Sequence, residues 1–136
     1  MSKNTMIANF DELLKMTKNQ SNPQRLLLLF ANAESVNPKK SKKHQKGTIS
    51  PVMCVDKLPE EIASFSDLVE EADNINKTWN FIFIASLSGE EGQAPSSNDA
   101  EQFLNKMAND VETGNGVGRY VVFDRKESPI EIESNI

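Results

Sequence analysis

The sequence predicts an α/β layered domain: a single mixed sheet of about four to five strands with about three helices. Three observations predict it. Trp79 to Leu87 is apolar on both strand faces for several residues, then gives way to small polar residues and glycine at Ser86, Ser88 and Gly89. Strands covered by helices on both sides read this way, and the ligands of such sheets tend to sit just beyond the strand ends. Helical and strand-like patterns also alternate along the chain. Finally, 136 residues fit one domain, which buries enough surface to need no disulfide or metal staple.

The elements follow in order. Met6, Phe10, Leu13, Leu14 and Thr17 keep helical spacing. Asn9 with Glu12 three residues on offers a cap, and a start nearer Asn4 fits as well. Asn19 to Pro23 ends this helix. Arg25 to Ala31 reads as a strand because it is short and flanked by breakers, although leucines are also good helix formers. Pro51 to Val55 reads as a second strand.

Pro59 suits a first helical turn, and Glu60 and Glu61 complement the positive end of the helix dipole. Ile62, Phe65, Val69 and Ala72 form its stripe; the alternative is that Ser64 and Ser66 divide the stretch into a turn and a later helix. Trp79 to Leu87 is the next strand, and Ser88 to Pro95 a loop. Ser96 with Asp99 resembles a capping box for a helix carrying Phe103, Leu104, Met107, Ala108 and Val111, with Gly114 as its C-cap. Arg119 to Phe123 is a strand and Asp124 to Ser128 a turn. Ile130 to Ile132 returns antiparallel as an edge strand, with Glu131 and Glu133 discouraging edge-to-edge association.

Asn32 to Ser50 stands apart as a lysine-rich loop. It holds Pro38, His44 and Gly47, and Lys39, Lys40, Lys42, Lys43 and Lys46 supply five of the fifteen Lys and Arg. Loops this long inside compact domains are usually functional or disordered. The chain as a whole is acidic, with a net charge of −5, which disfavours general nucleic-acid binding. Its one cysteine forms no intramolecular disulfide and excludes any multi-cysteine zinc site or two-thiol redox pair. The longest apolar run, Leu26 to Ala31, is far too short to span a bilayer. No secretory h-region precedes Asp11 and Glu12. The reading is cytoplasmic.

Several residues are candidates for chemistry. Cys54 near Lys57 and a helix start could be an activated thiol; it also reads as a small buried strand residue. Asp56 and Lys57, at a strand end, could hold a ligand or form a local ion pair. His44 would have to meet Cys54 across a flexible loop to make a dyad. Ser88 to Gly92 has two glycines but no Gly-Lys-Ser/Thr ending, so it is not a P-loop. Ser96 and Ser97 at a helix N-terminus could hold an anion or simply cap the helix. Gly114 to Gly118 follows a helix and precedes a strand, the reverse of a dinucleotide loop. The lysines offer salt-sensitive phosphate contacts but no interleaved aromatic residue for base stacking.

Six segments carry a resemblance: Phe10–Leu14, Pro23–Leu27, Pro51–Lys57, Ala85–Gly89, Pro95–Glu101 and Val122–Arg125. Together they resemble a group of small bacterial proteins that carry the label ribonucleotide reductase subunit alpha. The reductase catalytic subunit is far larger and uses three thiols at its site, a radical cysteine and a reducing pair. This chain has one. The resemblance therefore implies a family and no activity, and no catalytic residue is carried across.

The leading expectation is a non-enzymatic domain that binds a protein partner or small ligand, with its site among Cys54, Asp56, Lys57, Ser86, Ser88, Ser96 and Ser97. A small enzyme using Cys54 as nucleophile is the alternative, and nucleic-acid binding through Lys39 to Lys46 a third reading. No cofactor, metal or membrane is called for.

Overall fold

The computed structural model describes residues 9–34, 48–114 and 120–130. Three helices and five strands are present among them, in the order α1 (Phe10–Lys18), β1 (Gln24–Glu34), β2 (Thr48–Lys57), α2 (Phe65–Ile75), β3 (Phe81–Ser88), α3 (Ser97–Thr113), β4 (Val121–Asp124) and β5 (Pro129–Ile130). The sheet order is β2-β1-β3-β4-β5. Every neighbouring pair is antiparallel, so the sheet expected to be mixed has a single pairing sense. The reason is that β2 and β3 do run parallel, but the chain crosses from one to the other with β1 lying between them.

Local chemistry fixes each helix. Asn9 caps α1 by accepting the Glu12 N–H, with Asp11 and Glu12 at its positive end and Lys15 and Lys18 at its negative end. The Glu127 carboxylate, from the β4–β5 turn, accepts the Phe10 N–H at 2.9 Å and ties the far end of the chain to this helix start. Pro59–Glu61 is a short 3₁₀ turn, and α2 begins only after Ser64, whose hydroxyl accepts the Asp67 N–H. Ser64 thus divides the stretch, as the turn-then-helix alternative allows. Ser96 and Asp99 form the expected capping box of α3, and Gly114 closes it in the left-handed region at φ 77°.

The run of leucines in β1 is explained by a sheet buried on both faces. Leu26, Leu28 and Phe30 pack toward α1 and α2 with Phe65, Leu68, Ile82 and Phe123. Leu27, Leu29 and Ala31 pack toward α3 with Phe83, Leu104, Met107 and Val111. Phe10, Phe65 and Phe123 meet at ring separations of 5.6 to 6.3 Å and join α1, α2 and β4.

Some boundaries differ from the sequence reading. The segment read as a loop over 32–50 is strand at both ends, because β1 runs on to Glu34 and β2 starts at Thr48. Backbone pairing overrides the low apolar content there. Residues 35–47, with all five clustered lysines and His44, lie outside the described residues, as do 115–119 and 131–136, on which most of the expected glycine-rich turn and the expected strand residues Glu131 and Ile132 fall. Trp79 precedes β3 rather than opening it. Its carbonyl accepts from Arg125 at 3.0 Å and its indole N–H donates to Asp73 at 3.0 Å. The Arg125 guanidinium also lies over the indole ring, 4.2 Å from its centre, and pairs with Asp73 at 2.6 Å. Phe103, placed on the apolar stripe of α3, is 42% exposed; Ala100 takes the buried position instead.

Candidate functional site

The antiparallel register brings the C-terminal ends of β2 and β3 to the same end of the sheet as the start of β1: Leu26 pairs with both Lys57 and Ser86, and Gln24 with Ser88. Six of the seven nominated residues gather near this end. They divide into separate groups because strand residues alternate between faces.

On the α3 face, Asp56 accepts from Arg25 at 2.6 Å and from the Ser97 hydroxyl at 2.7 Å. Arg25 also donates to the Pro95 carbonyl at 2.6 Å. This trio fastens the start of α3 to two strands. Ser96, next to it, is occupied with the Asp99 N–H. On the α1 face, Gln24 donates to Ser88 at 3.1 Å and accepts from Ser86 at 2.7 Å. Lys57 points to this same face but turns outward to Glu71 on α2 at 3.1 Å. Nearly every nominated polar group therefore has a partner within the chain. The loop between β3 and α3 is equally self-contained: Glu90 and Gln93 exchange two backbone hydrogen bonds at 2.9 and 3.0 Å around Glu91 and Gly92, both with positive φ.

Cys54 is the outlier. It pairs with Leu29 in the middle of β2, away from the strand ends, and it is exposed rather than buried. Partial desolvation of its sulfur pushes its pKa up. A nucleophilic thiol needs the opposite shift. Among the described residues no group of three or more His, Cys, Asp or Glu could hold a metal ion, and no helix is long and apolar enough to cross a membrane.

What the sequence reading missed lies beside Cys54. Between β2 and α2 runs an apolar cavity of roughly 260 Å³, walled by Phe30, Met53, Val55, Leu68, Ala72 and Ile75. Cys54 borders it, and Lys57 and Glu71 stand at one end. Leu68 and Ala72 of α2 are buried in one cluster with Leu26, Leu28 and Phe30 of β1, while Met53 and Val55 of β2 are left half-buried at its margin. Ile75, the last residue of α2, is 73% exposed. A signal for it was present: Ile75 continues the Leu68–Ala72 helical spacing. β2 is also an edge strand of ten residues, and among the described strands none pairs with its outer flank. Pro51 and the register shift beside it, which skips Val52, blunt its first half, as prolines and bulges do on edge strands, leaving Met53–Lys57 regular.

Comparison of the chain with protein-family models, with curated proteins and with solved structures finds no match.

Proposed function

We propose that this protein is a non-enzymatic binding domain, and that its ligand is an extended peptide segment of a partner protein. The segment adds a strand alongside Met53–Lys57 and drops an apolar side chain into the groove between β2 and α2. In strand addition, backbone hydrogen bonds supply affinity and side-chain pockets supply choice. The observation that carries the reading is the apolar cavity directly beside an edge strand whose outer flank is unpaired among the described residues. The exposed Ile75 extends the same surface, and uncovered apolar surface of this kind marks interaction sites.

The polar residues at the strand ends support the non-enzymatic half of the proposal. Arg25, Asp56 and Ser97 satisfy one another, as do Gln24, Ser86 and Ser88. A catalytic group needs capacity left over for substrate. Desolvation raises the pKa of Cys54, which lowers its thiolate fraction and weighs against thiol catalysis.

The test is a backbone-amide NMR titration of the full chain with an octapeptide selected from a random display pool. Shifts should concentrate at Met53, Val55, Leu68, Ala72 and Ile75. Shifts concentrated at Ser86, Ser88, Ser96 and Ser97 would return the site to the strand ends and end this reading.

A further inference from the structure

The apolar groove opens into a second, smaller depression. Lys57, Leu68 and Glu71 line both, and Glu61 and Asp67 stand on the far wall of the second. Glu61, Asp67 and Glu71 are all exposed. Against these three carboxylates stands one ammonium, Lys57, which is already engaged with Glu71. The site is thus greasy at one end and negatively charged at the other.

The spacing along β2 measures the step between them. Val55 walls the apolar cavity, and Lys57 stands where the cavity meets the acidic depression. These two residues share a strand face, two positions apart, which is roughly 6.6–6.8 Å. A strand laid antiparallel or parallel along β2 carries its own side chains at the same interval.

We infer that the groove selects basic peptides. This rests on the strand-addition reading above and names the ligand's chemistry: a large apolar residue in the cavity and a Lys or Arg two residues away on the same strand face, over Glu61, Asp67 and Glu71. Charge complementarity favours this occupant over an acidic or neutral one, because a ligand carboxylate would face a net negative wall.

A random octapeptide display pool selected against the full chain, and against the Glu61→Gln/Asp67→Asn/Glu71→Gln variant, tests it. The wild-type chain should enrich a bulky apolar residue with Lys or Arg two positions away. The variant should keep the apolar preference and lose the basic one. A peptide selected on the wild type should bind the variant about tenfold more weakly, since several exposed ion pairs are lost together. Wild-type affinity should also fall as salt rises, a readout that needs no variant. The milder Asp67→Asn, on the exposed face of α2, should show part of the loss. Apolar peptides with neutral or acidic neighbours, blocked by Ile75→Ser, would overturn the basic preference while leaving the groove as the site. Peptides indifferent to Ile75→Ser, or no enrichment at all, would overturn both.

Discussion

The strand-end cluster and the β2–α2 groove lie on one small domain and behave in opposite ways. At the strand ends, polar side chains converge and consume one another's hydrogen-bonding capacity: Arg25, Asp56 and Ser97 on one face, Gln24, Ser86 and Ser88 on the other. In the groove, apolar side chains converge and leave surface uncovered, with Ile75 the extreme case. The difference teaches where interaction free energy remains to be gained. A satisfied polar cluster holds the fold; an uncovered apolar cleft beside a strand flank unpaired among the described residues is where the proposed partner would gain contacts.

Breaking the strand-end region should therefore cost stability and leave recognition alone. The largest effect is expected from Gly89→Ala. A Cβ there would lie 1.8 Å from the Gln93 carbonyl oxygen, inside the tight turn that carries the chain from β3 to α3. Backbone has to shift, and we expect a loss of roughly 2–4 kcal/mol by chemical denaturation. Next is Asp56→Ala, which strips Arg25 of its carboxylate where the guanidinium side chain is only 14% exposed. Leaving such a partner unpaired costs about 1–3 kcal/mol. In both variants the fraction that folds should bind the selected octapeptide with unchanged affinity.

Breaking the groove should do the reverse. Ile75→Ser touches a residue already in solvent, so folding stability should stay within about 0.5 kcal/mol. Affinity for the octapeptide should drop about tenfold, near 1.4 kcal/mol, because a buried apolar contact is lost only in the complex. An equal loss of stability would mean that Ile75 belongs to the core and not to a binding surface.

The smallest effect concerns Cys54, which sits at the border of the groove. Its thiol pKa is raised in the folded state by desolvation. The folded protein therefore holds the proton to higher pH than the unfolded chain does. The associated stability is intact below the ordinary thiol value and is lost as pH rises through the raised folded value. Denaturation midpoints should decline slightly over that alkaline window, and Cys54→Ser should remove the decline. Alkylation of the folded protein should be slower than that of a free thiol at neutral pH; faster alkylation would revive the nucleophile reading.

Much of the fold was legible because its signals are local. Asn9, Ser64, Ser96 and Gly114 mark helix ends through single side chains or a single φ, and the doubly apolar β1 and β3 state that helices cover both faces. Strand order and direction were not legible, because an apolar run looks the same beside any neighbour. That is why the sheet read as mixed and why Asp56 and Lys57, adjacent in sequence, were grouped although they face opposite sides. The groove was the least legible feature: the Leu68, Ala72 and Ile75 spacing marks the apolar stripe of α2, but not which strand that stripe faces. Pro51, inside β2 rather than at its start, was the residue that could have announced an edge strand.

Amide hydrogen exchange on the full chain, with and without the selected octapeptide, addresses the strand-addition claim most directly. Adding a strand should slow exchange at alternate amides of Met53–Lys57, those on the flank away from β1, while the α3 start around Ser97 is unaffected. Protection confined to residues 86–97, or no new protection in β2 under saturating peptide, would contradict it.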